Sequence, residues 1–179
     1  MPDKRLRLYH LNPDYVGALA RVDRRVMSTA PAKGKDKRPF VGIVIPHGDS
    51  LYCIPLSSPK PKHHAMKADR DFSKIVDRRG KLIAVLNFNN MIPVDGSVLS
   101  VVDLGLRPGD LPKERAYKEL MRDQLRWCNE HREAICSKAA KLYRIVTERP
   151  ESARGLVRRC CDYQSLEREL TVWLESHAS

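Results

Sequence analysis

The first stretch of the chain alternates. Leu6, Leu8 and Leu11 lie around Arg7, Tyr9 and His10, the period-two pattern of a short half-buried strand. Asn12-Pro13 follows, a capping residue and a first-turn proline, and predicts a helix over 13–25. Its apolar positions Val16, Leu19, Ala20 and Val26 recur at helical spacing, with Arg21, Arg24 and Arg25 toward the other side. The stretch Ala30 to Pro39 mixes Pro and Gly with Lys33, Lys35, Lys37 and Arg38 and has no apolar period, which reads as a basic loop. Phe40 to Ile45 and Leu51 to Leu56 are β-rich runs separated by Pro-His-Gly-Asp-Ser, the composition of a hairpin.

A third apolar run spans Leu82 to Phe88 and leads through Asn89-Asn90 to Met91-Ile92-Pro93-Val94; a fourth spans Val98 to Leu104. From about 113 to 129, Tyr117, Leu120, Met121, Gln124 and Cys128 trace one helical face, and from about 132 to 147 Ile135, Ala139, Leu142 and Val146 trace another. A last helix starts near Asp162 on a stripe of Leu166, Leu170 and Trp173. Strands gathered ahead of helices predict an α+β fold on an antiparallel sheet.

The 179 residues suit one domain, 1–179, with an ordinary apolar fraction of 42%. Five cysteines, odd in number and without a C-x-x-C pair, fit a reducing cytoplasm. No apolar run has the length of a signal peptide core or a membrane span.

The net charge of +11 becomes informative when divided along the chain: +6 over residues 1–40, +2 over 41–112, +6 over 113–159 and −3 over 160–179. A basic arm and a basic helical stretch suit two flanks of a groove following a phosphate backbone, with the acidic tail held away. Many basic surfaces are merely solvated, so charge alone leaves nucleic-acid binding open.

Chemistry concentrates after the second hairpin strand, in Ser57-Ser58-Pro59-Lys60-Pro61-Lys62-His63-His64. Cleaving RNA without a metal requires a base for the ribose 2′-hydroxyl, an acid for the departing 5′-oxygen, and donors around the phosphate; this segment has side chains for each. Lysine, with a free pKa of ~10.4, is a poor base unless desolvated and otherwise acts as a clamp. The same composition is also that of a plain exposed turn. His47, His63 and His64 lie in one region, yet no H-E-x-x-H, Cys/His spacing or carboxylate cluster accompanies them, so no metal site and no cofactor is expected. Aromatics are 6% of the chain, too few for an extended stacking platform, although Tyr9, Tyr15 and Tyr52 are candidates for stacking on single bases.

Six ordered pieces then resemble the ToxN/AbiQ family of type III toxin-antitoxin toxins: Leu8-Tyr9-x-Leu11 with Tyr15, Leu19, Asp23 and Val26; Phe40 to Val44; Ser58-Pro59-Lys60; Asn90 to Val94; Tyr117-Lys118-x-Leu120 with Ile135 to Ala139; and Cys161-Asp162-Tyr163 with Leu166-Glu167. The resemblance implies a compact, highly twisted and partly barrel-like antiparallel sheet wrapped by helices, akin to the Kid and MazF toxins. It also implies a bacterial cytoplasmic endoribonuclease of a single domain that leaves 2′,3′-cyclic phosphate ends. Catalytic positions carry over to Ser57, Ser58, Lys60 and Arg38, with His63 at a family-like position suited to proton transfer. Arg38 stands where the family more often has Lys, and a group that stays charged fits phosphorane stabilisation better than base catalysis. Lys33, Lys35, Lys37, Lys62, His64, Tyr9 and Tyr15 are expected to contact RNA. The partners implied are a small repeat-derived RNA antitoxin folded as a pseudoknot, joined with toxin in a hetero-oligomer, and cellular mRNA as substrate. The competing readings are a non-catalytic RNA-binding regulator on the same basic surface and, ranked last for want of a helix-turn-helix signature, a DNA-binding regulator.

Overall fold

The computed structural model describes residues 5–29 and 38–178. Strand β1 (Arg7–Leu11) leads into helix α1 (Pro13–Val22), and the hairpin is β2 (Phe40–His47) and β3 (Ser50–Ser57). A short helix α2 (Pro61–Ala65), β4 (Phe72–Val76), β5 (Leu82–Asn87), the two-residue β6 (Ile92–Pro93) and β7 (Leu99–Val101) follow. Helices α3 (Pro112–Glu130), α4 (Arg132–Glu148), α5 (Arg154–Arg159) and α6 (Tyr163–Ser176) complete the order.

The seven strands form one antiparallel sheet in the order β4-β5-β3-β2-β1-β7, with β6 also paired to β3. It ends on β4 and β7 instead of joining them, so the partly barrel-like form expected from sequence is an open sheet. The hairpin closes through Gly48-Asp49 between the paired His47 and Ser50. Gly48 has φ +55° and no non-glycine among the described residues has positive φ, the pattern of a type II′ turn, whose twist matches that of the strands. Where Gly42 faces Cys53, the strands approach so closely that a Cβ on Gly42 would lie 2.5 Å from the Cys53 sulfur.

Helix α1 ends three residues before the expected position. Asp23 adopts extended backbone, and its buried carboxylate accepts the Arg25 backbone N–H and guanidinium, all at 2.9 Å, and the Asp162 N–H at 2.7 Å. A carboxylate that can bond nearby main chain competes with helix continuation. The knot also fastens α1 to the start of α6, where Asp162 caps the helix by accepting the Ser165 N–H at 3.2 Å. The expected strand 98–104 shortens to β7, since the Asp103 carboxylate accepts the Gly105 N–H at 2.9 Å and turns the chain. The short elements α2, β4, β6 and α5 carry too little periodicity to be read in advance.

A single hydrophobic cluster joins Leu6, Leu8 and Leu11 of β1 to Tyr15 and Leu19 of α1, the β2, β3 and β5 interiors, and Ile135, Leu142, Tyr163 and Leu166 of the helices. The Glu167 carboxylate accepts from the hydroxyls of Tyr52 at 2.7 Å and Tyr143 at 2.9 Å, and the Tyr163 hydroxyl donates to the Phe88 carbonyl at 2.9 Å. Among the described residues no helix is long and apolar enough to cross a membrane.

Candidate active site

The Ser-Pro-Lys segment begins where β3 leaves the sheet. Ser57 is its last residue, paired with Val85, and its Oγ accepts from Asn87 Nδ2 at 2.6 Å. With its oxygen accepting from Asn87, the Ser57 hydroxyl keeps its own proton to donate. Ser58 and Lys60 are exposed. Lys60 is the N-cap of α2, Pro61 occupies the first turn, and the backbone N–H of Lys60 donates to His63 Nδ1 at 2.9 Å. The loop anticipated from composition is therefore a structured strand-to-helix corner.

Arg38 enters from the other end of the hairpin, immediately before β2. Its Nη1 donates to the Leu56 carbonyl and its Nε to the Ser28 carbonyl, each at 3.4 Å, while the Leu56 N–H donates to the Pro39 carbonyl at 3.1 Å. The guanidinium is thereby held beside the end of β3. Burial lowers its pKa, and arginine nonetheless remains a cation at neutral pH.

Arg38, Ser57, Ser58 and Lys60 line one cleft of about 470 Å³, with Pro39, Leu56, Pro59 and, from α3, Tyr117, Leu120 and Gln124. Among the described residues the lining contains two cations, the hydroxyls of Ser57, Ser58 and Tyr117, and no carboxylate or imidazole, a donor set matched to a phosphodiester. Among the described residues no group of three or more His, Cys, Asp or Glu could hold a metal ion.

Other sequence-derived candidates lie elsewhere. His63 is buried beneath the corner and does not line the cleft; with Nδ1 accepting from Lys60, its neutral ring carries the proton on Nε2, which removes it from the place of a general base. Burial, followed by the charges of Lys62, Lys60, Lys74 and His64, lowers its pKa. Tyr15 is 0% exposed, with its hydroxyl donating to the Pro93 carbonyl at 2.6 Å, and Tyr52 is equally buried; neither has a face for a base. Tyr9, half-buried on β1, packs against the core and does not line the cleft. Lys62 and His64 are exposed on α2. Lys33, Lys35 and Lys37 lie outside the described residues.

Sequence reasoning placed Tyr117, Leu120, Met121, Gln124 and Cys128 on one face of their helix. Met121, Gln124 and Cys128 are indeed buried, but Tyr117 is 42% and Leu120 37% exposed, so this half of the stripe faces the cleft. The signal available was Gln124 itself, an amide in an apolar row. A second and larger cleft, of about 820 Å³, runs between α4 and residues 68–70 and is lined by Arg70, Lys138, Lys141, Arg144 and Arg149, with Asp69 the one acidic member among the described residues.

The whole arrangement has close structural counterparts. AbiQ, a lactococcal anti-phage endoribonuclease belonging to the type III toxin-antitoxin system, superposes with a TM-score of 0.82 at 25% identity, covering 96% of this chain and 99% of its own. A bacterial type III toxin selectively inhibited by a non-coding RNA pseudoknot shares the fold with a TM-score of 0.81 at 24% identity and the same coverage. The fold is thus that of type III toxin-antitoxin toxins. By sequence, the endoribonuclease ToxN of Bacillus thuringiensis subsp. kurstaki is 26% identical over 172 residues, 94% of this chain and 84% of its own length. The family described as toxin ToxN of the type III toxin-antitoxin system matches residues 7–171; the chain belongs to that family, as the ordered motifs indicated.

Proposed function

We propose that this protein is the toxin of a type III toxin-antitoxin system, a metal-independent endoribonuclease that cleaves cellular mRNA and its own repeat RNA antitoxin. The observation that carries the reading is the convergence of Arg38, Ser57, Ser58 and Lys60 on one cleft in a chain of the ToxN family. In the reaction the ribose 2′-oxygen attacks the adjacent phosphorus and the bond to the 5′-oxygen breaks, giving a 2′,3′-cyclic phosphate and a 5′-hydroxyl. Arg38 and Lys60 stabilise the charge that grows on the non-bridging oxygens, and Ser57 and Ser58 donate hydrogen bonds to them. His63 is a positioning residue that holds the Lys60 corner.

The partner we infer is a small repeat-derived RNA folded as a pseudoknot, retained after processing in a toxin-RNA hetero-oligomer. The basic lining of the larger cleft supports a second stretch of backbone contact. Residues 1–179 act as one endoribonuclease domain, supported by the single cluster that runs from Leu6 to Leu166, with a Kid- and MazF-type core, supported by the antiparallel sheet under its helices. Five free cysteines support a setting in the reducing bacterial cytoplasm.

The test is end-labelled RNA incubated with purified protein in excess chelator. Cleavage with 2′,3′-cyclic phosphate ends is expected, and its loss in a folded Ser58→Ala, Lys60→Ala double variant. Full cleavage by that variant rejects the site. Tight, salt-sensitive binding without any cleavage selects the alternative, a non-catalytic RNA-binding regulator.

A further inference from the structure

We infer that the α3 side of the cleft is a base-reading subsite, in which Tyr117 stacks on a nucleobase beside the scissile phosphate and the Gln124 side-chain carbonyl accepts from that base's exocyclic amino group. The inference rests on the ribonuclease reading and names the feature of the substrate that the cleft selects.

Gln124 is only 7% exposed yet lines the cleft. Its Nε2 donates to the Ile83 carbonyl of β5 at 3.1 Å. A carbonyl cannot accept from another carbonyl, so this bond decides which end of the amide is which. Oε1 is left as an acceptor with no hydrogen-bond partner among the described residues, and it is not sealed from solvent, because the one buried side-chain polar atom there without a partner is His10 Nε2. A fixed acceptor, oriented through the sheet, therefore opens on the cleft.

Tyr117, Leu120 and Gln124 are spaced i, i+3, i+7 and occupy one helical face over about 10 Å. Tyr117 presents an exposed ring and Leu120 an apolar floor between it and the amide. Lys118, on the neighbouring face, fixes this end of α3 by donating to the Gly105 carbonyl at 2.8 Å and the Asp110 carboxylate at 3.0 Å. Cations and hydroxyls on one side and an aromatic, an aliphatic and a single acceptor on the other divide the cleft into a phosphate half and a base half. Every base has a face for stacking. Only adenine and cytosine carry an amine where guanine and uracil carry a carbonyl, and a carbonyl there would oppose Oε1.

The experiment uses the full-length protein and a random-sequence RNA pool whose cut ends are sequenced. At one position flanking the cut, adenine and cytosine are expected to exceed guanine and uracil on the order of 10-fold, the scale of one hydrogen bond to a buried acceptor. Gln124→Leu should lose that bias. On the wild-type protein, replacing adenine at that position by purine riboside, which lacks the amine, should lower kcat/KM by a similar factor, a measurement independent of how any variant folds. Tyr117→Ala should raise KM roughly 10-fold, whereas Tyr117→Phe retains the wild-type value. Equal cleavage of the purine riboside RNA, or an unchanged bias in folded Gln124→Leu, overturns the subsite. A pool that is cut without any adenine and cytosine bias sinks the subsite alone, and a pool left uncut by the wild type overturns the ribonuclease reading and the subsite with it.

Discussion

The backbone N–H of Lys60 donates to Nδ1 of His63, 2.9 Å away, so a neutral imidazole holds the corner from which Ser58 and Lys60 are presented. Protonating Nδ1 abolishes that bond. Burial and the neighbouring cations place the folded pKa of His63 below its ordinary 6.5, so the unfolded chain takes up the proton first. The stability His63 contributes is complete above pH ~6.5 and declines as the pH falls from there toward the folded value. Urea midpoints should therefore drop between pH 7.5 and 5.5. His63→Asn, which keeps an acceptor at that place without titrating, should flatten the drop; an unchanged slope would remove His63 from the corner's support.

Asp23 gives a sensitivity of the same sign at lower pH. Burial alone would raise its pKa, but the hydrogen bonds from Arg25 and from the Asp162 N–H outweigh it, and the net shift is downward. Its contribution is present above the ordinary carboxylate value of ~3.9 and lost as pH falls through the lower folded value. Asp23→Ala should cost about 2–4 kcal/mol at pH 7, since it strands several donors, and the variant should lose less further stability than wild type between pH 5 and pH 3. Acid titration followed by circular dichroism measures both.

At the close approach of β2 and β3, a methyl on Gly42 has no room beside the Cys53 sulfur. Gly42→Ala is expected to cost about 1–3 kcal/mol. In the background of Cys53→Ala, where the sulfur is gone, the same change should cost distinctly less. Equal penalties in a thermal-denaturation cycle would place the strain elsewhere.

Cation removal in the larger cleft should appear as salt dependence. Lys141→Ala with Arg144→Ala, both exposed on α4, should weaken RNA binding and reduce the slope of log K against log salt by roughly 1 to 2. Filter binding across a salt series reads this directly, and an unaltered slope would mean that RNA does not run there.

Much of this architecture was legible because long segments carried period: the β2-β3 hairpin, α3, α4 and α6 fall within a few residues of their expected bounds. The end of α1 was not, because Asp23 obeys partners as distant as Asp162, and tertiary hydrogen bonds leave no local trace. Three of the candidate site residues, Ser57, Ser58 and Lys60, were readable as chemistry at a strand exit, and the fold brings Arg38 to them across the hairpin. The imidazole of His63 suggested proton transfer by its type alone, which leaves no sign that its Nδ1 is engaged by the Lys60 N–H beneath the corner. The face of Tyr117, Leu120 and Gln124 was legible but its destination was not, since an apolar stripe looks the same whether it covers a core or a cleft. The family-like pieces remote from the cleft act as ties: Lys138 donates to the carbonyls of Asp69 and Phe72 at 2.9 and 3.1 Å, and Asn90 Nδ2 donates to the Arg25 carbonyl at 2.6 Å.

The lining of the smaller cleft comes from three separated stretches, 38–39, 56–60 and 117–124, and the Asp23 knot ties α1 to the start of α6 at Asp162. A ribosome that has translated the first hundred residues thus displays an inert polypeptide. The cleft is whole only after 117–124 have been made and packed against the other two stretches.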